Sequence, residues 1–394
     1  MSELLVYAEP LALVPAGYQW VEVQAVIPGG EHTCAIVDLQ DADGDVYTGR
    51  VRCWGDNRYG QLGYGHTNAI GDDEVPADVI EHVDVGDPAV QLALGRYHTC
   101  AVVEHDPGQP RSVRCWGNGS SGRLGYGSSS NIGDEPGETP ASVGDVDLGG
   151  QGVEQVVAGA SHTCVLLVGG EVRCWGANWN GQLGYGDTSG RNSPPSESIE
   201  LGGIAVSLAA GYEHTCALLD TGGVRCWGRA YSGSLGYGDW TTIGDNEDPA
   251  DAGDVDLGPH PTVAISANEY GACALMDNDD IRCWGRNDHG SLGLGQGSHV
   301  GDNELPETVA PVNYGIGTPI QLAGTRLGSC VLISNLAPSS STVRCWGYAS
   351  EGSVGYDSVN HIGDQAGEMP PSDLSFTAAT GTIDGLSGGG RHYC

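Results

Sequence analysis

Apolar residues along this chain fall into short runs broken by glycine. Gly211–Cys226 reads GYEHTCALLDTGGVRC, with an apolar stretch, Thr-Gly-Gly and a second apolar stretch. That order is a β-hairpin signal. The segment before it, Ile204–Ala209, has the character of another strand, and the LGYG sequence after it reads as a strand end or turn. Each unit is therefore expected to form a small antiparallel sheet of three or four strands. A sheet of that size cannot bury both faces alone, so neighbouring sheets must stack.

The pattern repeats. Val51-Arg52-Cys53-Trp54-Gly55 recurs in blocks ending at Gly117, Gly176, Gly228, Gly285 (with Ile for Val) and Gly347. A glycine-punctuated tail follows, clearest at Asn57–Gly65 and Asn178–Gly186. A block G-x-x-H-T-C precedes it at Gly29–Cys34, Gly95–Cys100, Gly159–Cys164 and Gly211–Cys216. It is degraded at Ala267–Cys273 and Gly324–Cys330 and returns at Gly389–Cys394. The mean period is about 60 residues, too long for a leucine-rich solenoid, and amphipathic helices are missing. Radial stacking of about seven four-stranded sheets, a β-propeller, satisfies these constraints with only short edges left open.

These motifs resemble the repeat of the regulator-of-chromosome-condensation (RCC1-type) family, in which G-x-x-H-[ST]-x-x-L is followed by [VI]-x-x-W-G-x-N-x-x-G-Q-L-G. The likeness runs from about Val21 to Cys394 and implies an all-β, seven-bladed propeller of four-stranded antiparallel blades. Taken as a single propeller over 1–394, the repeats span roughly 21–85, 86–150, 151–203, 204–259, 260–316 and 317–380. Residues 381–394 start a seventh blade. A strand from 1–20, within Glu3–Val14, then closes the ring as the family does, or the chain is truncated after Cys394. The resemblance does not carry over nucleotide exchange on a GTPase or chromatin binding, which need a basic surface.

The 13 cysteines are seven from the first block and six from the second. Partners within a unit are 10, 15 or 19 residues apart. Loop length changes while the cysteines stay in phase, as a cross-strand pair requires. The expected disulfides are Cys34–Cys53, Cys100–Cys115, Cys164–Cys174, Cys216–Cys226, Cys273–Cys283 and Cys330–Cys345. Cys394 is left unpaired. Each bond closes a loop worth about 3 kcal/mol in the chain-entropy model. Free core cysteines and a metal are the alternatives, but no C-x-x-C exists and the histidines lie two positions from cysteine, a poor zinc spacing. Disulfides imply an oxidising compartment, hence an extracellular or cell-surface protein. No intact signal peptide stands at the N-terminus.

Composition narrows function further. The 394 residues carry 51 acidic and 16 basic side chains, a net charge of −35, and every basic residue is arginine. Schiff-base lysine chemistry and a phosphate-loop lysine are excluded. Charge of this sign repels nucleic acid and anionic lipid. No run of about 18 apolar residues exists to span a membrane. The compositional expectation is a bacterial, salt-tolerant source.

Residues present once per repeat read as structural. The histidines (His32, His98, His162, His214, His392) are expected to hydrogen-bond between blades. The arginines of the second block (Arg52, Arg114, Arg173, Arg225, Arg282, Arg344) are expected to form salt bridges, and the CWG tryptophans to fill the core. No nucleophile, metalloprotease or dinucleotide motif appears, so no catalytic residue, cofactor or enzyme activity is expected. A third block, [IV]-G-D-x-E-x-P, offers weak calcium candidates at Asp72 and Glu74, Asp245 and Glu247, and Asp302 and Glu304. Asp41, Asp43 and Asp45 in a hairpin tip are further ones, since calcium takes six to eight oxygens. The alternative is that these residues cap turns. Unrepeated aromatics, Tyr59, Trp179, Tyr231 and Trp240, are the binding candidates. The expected function is a secreted or cell-surface scaffold that binds a protein or glycan partner. Alternatives are a self-assembling extracellular fibre, a protein inhibitor, or an enzyme acting at the channel face.

Overall fold

The computed structural model describes residues 18–73, 82–334, 341–350, 353–356, 359–374, 383 and 385–388. The chain divides into two compact units. The N-terminal unit (residues 7–178 and 189–199) contains three antiparallel sheets in which consecutive strands pair. These are β1 (Tyr18–Pro28), β2 (His32–Asp41) and β3 (Val46–Gly55), then β4 (Ala89–Leu94), β5 (His98–Val103) and β6 (Ser112–Gly117), then β7 (Val153–Ala158), β8 (His162–Leu167) and β9 (Val172–Gly176). The C-terminal unit (residues 1–6, 179–188 and 200–394) contains β10 (Ala205–Ala210), β11 (His214–Leu219) and β12 (Val224–Gly228). It continues with β13 (Thr262–Asn268), β14 (Gly271–Met276) and β15 (Ile281–Gly285), then β16 (Thr318–Thr325), β17 (Gly328–Ser334) and β18 (Ser341–Gly347).

The sheets have three strands, where four were expected. The backbone of the segment after each third strand pairs with it at only two points. One is a reciprocal backbone pair such as Gly55 with Ile70 or Gly228 with Ile243. The other is a single bond such as Val255 N to Val224 O. Between them lies the third block, rich in glycine and proline. Proline has no N–H for a ladder, so pairing cannot propagate. Six sheets stand among the described residues. The proposed closing strand at Glu3–Val14 and residues 389–394, with Cys394, lie outside them. Leu386 exchanges two hydrogen bonds with the Gln321 side chain (2.7 and 2.9 Å). Gln91 of β4 holds Val156 of β7 in the same way, so Leu386 stands where the middle of a further first strand would lie.

The repeated residues hold neighbouring sheets together. Middle strands are buried along their length (β5, β8, β11, β14). Six disulfides join them to the third strands at Cys34–Cys53, Cys100–Cys115, Cys164–Cys174, Cys216–Cys226, Cys273–Cys283 and Cys330–Cys345. The tryptophans Trp116, Trp175, Trp227, Trp284 and Trp346 are fully buried. Each of four packs on a glycine of the preceding LGYG-type tail: a Cβ on Gly63, Gly125, Gly236 or Gly293 would come within 2.8–2.9 Å of the indole. His32 Nε2 meets Thr99 Oγ1 of the next sheet at 2.7 Å, and His98 meets Thr163 at 3.0 Å. Burial lowers the pKa of His32 and His214 to about 4 and that of His98 well below its usual value. The glycine of G-x-x-H exists to seat this ring: a Cβ on Gly95 or Gly211 would lie 2.2 or 2.0 Å from the imidazole Cε1.

Candidate binding surface

The third block is a clasp between repeats. Its Gly-Asp turn docks on the loop of the preceding repeat so closely that a Cβ on Gly60, Gly181, Gly233 or Gly290 would stand 2.4–2.5 Å from its backbone. The carboxylates serve that turn. Glu368 accepts from the amides of Gly363, Asp364 and Gln365 at 2.9–3.1 Å, and Glu138 accepts from Gly133. Burial, then the neighbouring Asp245 or Asp302, raises the pKa of Glu247 and Glu304. Asp72 accepts from the amide of Asp73, and Glu74 lies outside the described residues. In the β2–β3 tip, Asp41 accepts from the amides of Asp43 and Asp45 and from the Tyr47 hydroxyl. The Asp45 amide is the main cause of its lowered pKa. Among the described residues no three acidic, His or Cys side chains converge as a metal site.

The second-block arginines tie connecting segments to the sheets. Arg282 donates to Pro306 O, Glu307 O and Val309 O. Arg114 binds Val85 O and pairs with Asp87 and Asp145.

In the C-terminal unit a group of aromatic side chains gathers at the G-x-x-H end of the sheets. In the C-terminal unit the two variable positions of G-x-x-H are Tyr212-Glu213 and Glu269-Tyr270, in the β10–β11 and β13–β14 turns. Arg229 and Tyr231 follow β12, and Arg286 follows β15. Backbone bonds set these loops: Tyr212 N donates to Glu269 O, Arg229 N to Glu213 O, and Arg286 N to Tyr270 O, all at 2.9–3.1 Å. Ring centroids of Tyr212 and Tyr270 are 6.1 Å apart, Tyr231 and Tyr270 6.4 Å, and Tyr231 and Trp240 5.9 Å. Arg229 lies over Tyr231 (5.0 Å) and pairs with Glu213 (2.8 Å). Arg286 lies over Tyr270 (5.2 Å) and pairs with Asp288. Arg326 pairs with Glu269. Burial first, then Glu269, pushes the Tyr270 hydroxyl up to about 12, so it stays protonated. A shallow recess opens between Tyr212, Tyr231 and Tyr270, with Glu213, Glu269 and Arg229 in its wall.

The structure therefore joins Tyr231 to Trp240 but not to the other candidates. Trp179, in the C-terminal unit, is 64 % exposed. Tyr59 belongs to the N-terminal unit, edge-on to Tyr97 at 5.3 Å, with Arg58 and Arg96 over the Tyr97 ring. Sequence reading missed Tyr97, Tyr212, Tyr270 and the stacked arginines because they lie inside or beside repeated blocks. The usable signal is that the two x positions of G-x-x-H do not repeat.

Three-stranded antiparallel sheets recurring at a regular spacing define an all-β repeat protein. Two models described as the regulator of chromosome condensation (RCC1) repeat match the chain, one at residues 43–102, 112–166 and 169–218, the other at 153–182, 205–234 and 263–291. Together they cover more than half of it, and the chain belongs to the RCC1 repeat family. It is 34 % identical over 221 residues to the Arabidopsis thaliana ultraviolet-B receptor UVR8, covering 56 % of this chain and 44 % of the receptor. It is 30 % identical over 224 residues to human HERC6, a probable E3 ubiquitin-protein ligase, covering 55 % of this chain and 19 % of that protein. The chain thus spans less than half the length of these curated relatives. Among solved structures, yeast RCC1 (Prp20) bound to Kap60 superposes with a TM-score of 0.70 at 20 % identity, over 94 % of this chain and 79 % of that one. Human WBSCR16 gives 0.69 at 17 % identity, over 94 % and 85 %. These likenesses show the fold, an RCC1-like β-propeller.

Proposed function

We propose that this chain is a non-enzymatic scaffold that binds a partner protein in an oxidising, extracellular or cell-surface setting, through its tyrosine–arginine surface. One observation carries the reading. Outside the third-strand Arg225, Arg282 and Arg344, the described residues of the C-terminal unit hold three arginines, Arg229, Arg286 and Arg326, and all three lie among Tyr212, Tyr231 and Tyr270. Trp, Tyr and Arg are the residues that dominate binding energy at protein interfaces. Rings held by backbone-bonded turns lose little entropy on binding. Six buried disulfides support the oxidising setting. A relative of the same fold is known in complex with a protein, Kap60. The test is a display selection of extracellular domains against the oxidised chain. Selected binders are expected to lose at least tenfold in affinity for Tyr231→Ala/Trp240→Ala. Binders that hold that variant equally well would place recognition elsewhere.

A further inference from the structure

The far end of the C-terminal sheets carries a second surface, built on an irregularity present in every first strand. β10 skips one residue in its pairing with β11, between Ala205 and Ser207. β13 does so between Thr262 and Ala264, and β16 between Pro319 and Gln321. A one-residue bulge stands also in β4 and β7, and β1 has two. It lets Ala205 and Leu208, three apart, both face the core, and it turns the skipped residue, Val206, outward. In the C-terminal unit the bulged residues are Val206, Val263 and Ile320, exposed by 49, 54 and 53 %. β13 lies against β10 and β16 against β13, so the three form one row across neighbouring strands. Ile204, also exposed, directly precedes β10. The bulge does not itself require an apolar side chain, since Glu154 occupies it in β7.

The row has an acidic border. The amide of Asp220 donates to Ile204 O at 2.9 Å and that of Asp277 to Pro261 O at 3.0 Å. Both carboxylates therefore start beside the row, and Asp279 and Asp280 complete the β14–β15 turn. The arginines near this end are committed. Arg225 pairs with Asp254 and Arg344 with Asp373, while Arg282 binds carbonyls, and the His260 ring lies 3.0 Å from Oδ1 of Asp277.

We infer that this surface docks a basic segment of a partner protein that also bears aliphatic side chains. The aliphatic groups would cover Val206, Val263 and Ile320, and the cations would meet Asp220 and Asp277. Burial of apolar area supplies the affinity and the border supplies the sign. A second copy of this chain would bring the same acids against themselves. The site lies about 20 Å along the strand from Tyr212, so it needs a protein partner but not the tyrosine surface.

The test uses the intact, oxidised chain and two synthetic 12-residue peptides of equal charge, one repeating Lys-Leu-Lys-Gly and one Lys-Ser-Lys-Gly. Both are titrated calorimetrically at 150 and 500 mM NaCl. The leucine peptide is expected to bind at least tenfold tighter and to keep that margin at high salt. Val206→Thr/Val263→Thr/Ile320→Thr retains the β-branched shape and is expected to erase the margin. Asp220→Asn/Asp277→Asn is expected to weaken both peptides at 150 mM only. Tyr231→Ala/Trp240→Ala is expected to change nothing here, which separates this site from the tyrosine surface. Equal binding of the two peptides, or a margin that survives the threonine variant, would overturn the inference. So would self-association, seen by sedimentation, that the threonine variant abolishes.

Discussion

The two ends of the C-terminal sheets are built from the same repeat and have opposite chemistry. At the G-x-x-H end, turns present Tyr212, Tyr231 and Tyr270 with arginines stacked on two of the rings and glutamates pairing the charge. At the hairpin end, bulges present Val206, Val263 and Ile320 beside Asp220 and Asp277. Between them the buried disulfides and tryptophans scarcely vary. The contrast teaches that the period fixes the middle of each sheet and leaves its two ends free to differ. In a chain of net charge −35, placing the unit's spare arginines at one end makes that end locally neutral and leaves the other acidic.

Breaking the middle should have the largest effect. Reduction of the disulfides removes six loop constraints of about 3 kcal/mol each, more than the whole stability of a typical domain. The reduced chain is expected to unfold at 25 °C by near-ultraviolet circular dichroism. A single pair removed, Cys164→Ala/Cys174→Ala, is expected to lower urea-unfolding stability by about 3 kcal/mol. A reduced chain that stays folded would mean that packing alone holds the sheets.

Acid comes next. His32 and His214 have folded pKa values near 4 against 6.5 when unfolded, because burial disfavours the imidazolium. Between those values the unfolded chain binds protons that the folded chain refuses. Their stabilisation is therefore complete above pH 6.5 and lost as pH falls toward 4, about 3 kcal/mol for each ring. Thermal midpoints are expected to fall steadily over that window, and His32→Asn to flatten the profile. A midpoint constant from pH 7 to 4 would show these rings are not buried and neutral.

Much of the middle was legible in the sequence because it repeats. The cysteine phase, the hairpins and the role of His32 and His98 between sheets all follow from residues that recur once per period. The missing fourth strand was less legible. The sequence shows that Asp245, Glu247 and Pro249 form a block, but only the approach of Gly244 to Gly181 shows that the block clasps the preceding repeat. The tyrosine surface was half legible. Tyr231 and Trp240 stood out as unrepeated, whereas Tyr212 and Tyr270 were hidden inside a motif read as structural. The bulges could not be read at all. Val206 looks like any apolar strand residue until its pairing register shows that it faces water.

Repeat residues as holders and variable residues as binders can be separated most directly by parallel thermal melts of Gly211→Ala and Tyr231→Ala/Trp240→Ala. A Cβ on Gly211 would press on His214 Cε1 at 2.0 Å and Asn268 O at 2.6 Å, an overpacking cost of about 1–3 kcal/mol. At about 2–4 °C per kcal/mol, that variant should melt several degrees below the wild type. The two exposed aromatics should cost no more than about 2 °C. Equal shifts, or a larger one for the aromatic pair, would contradict the division between holding and binding residues.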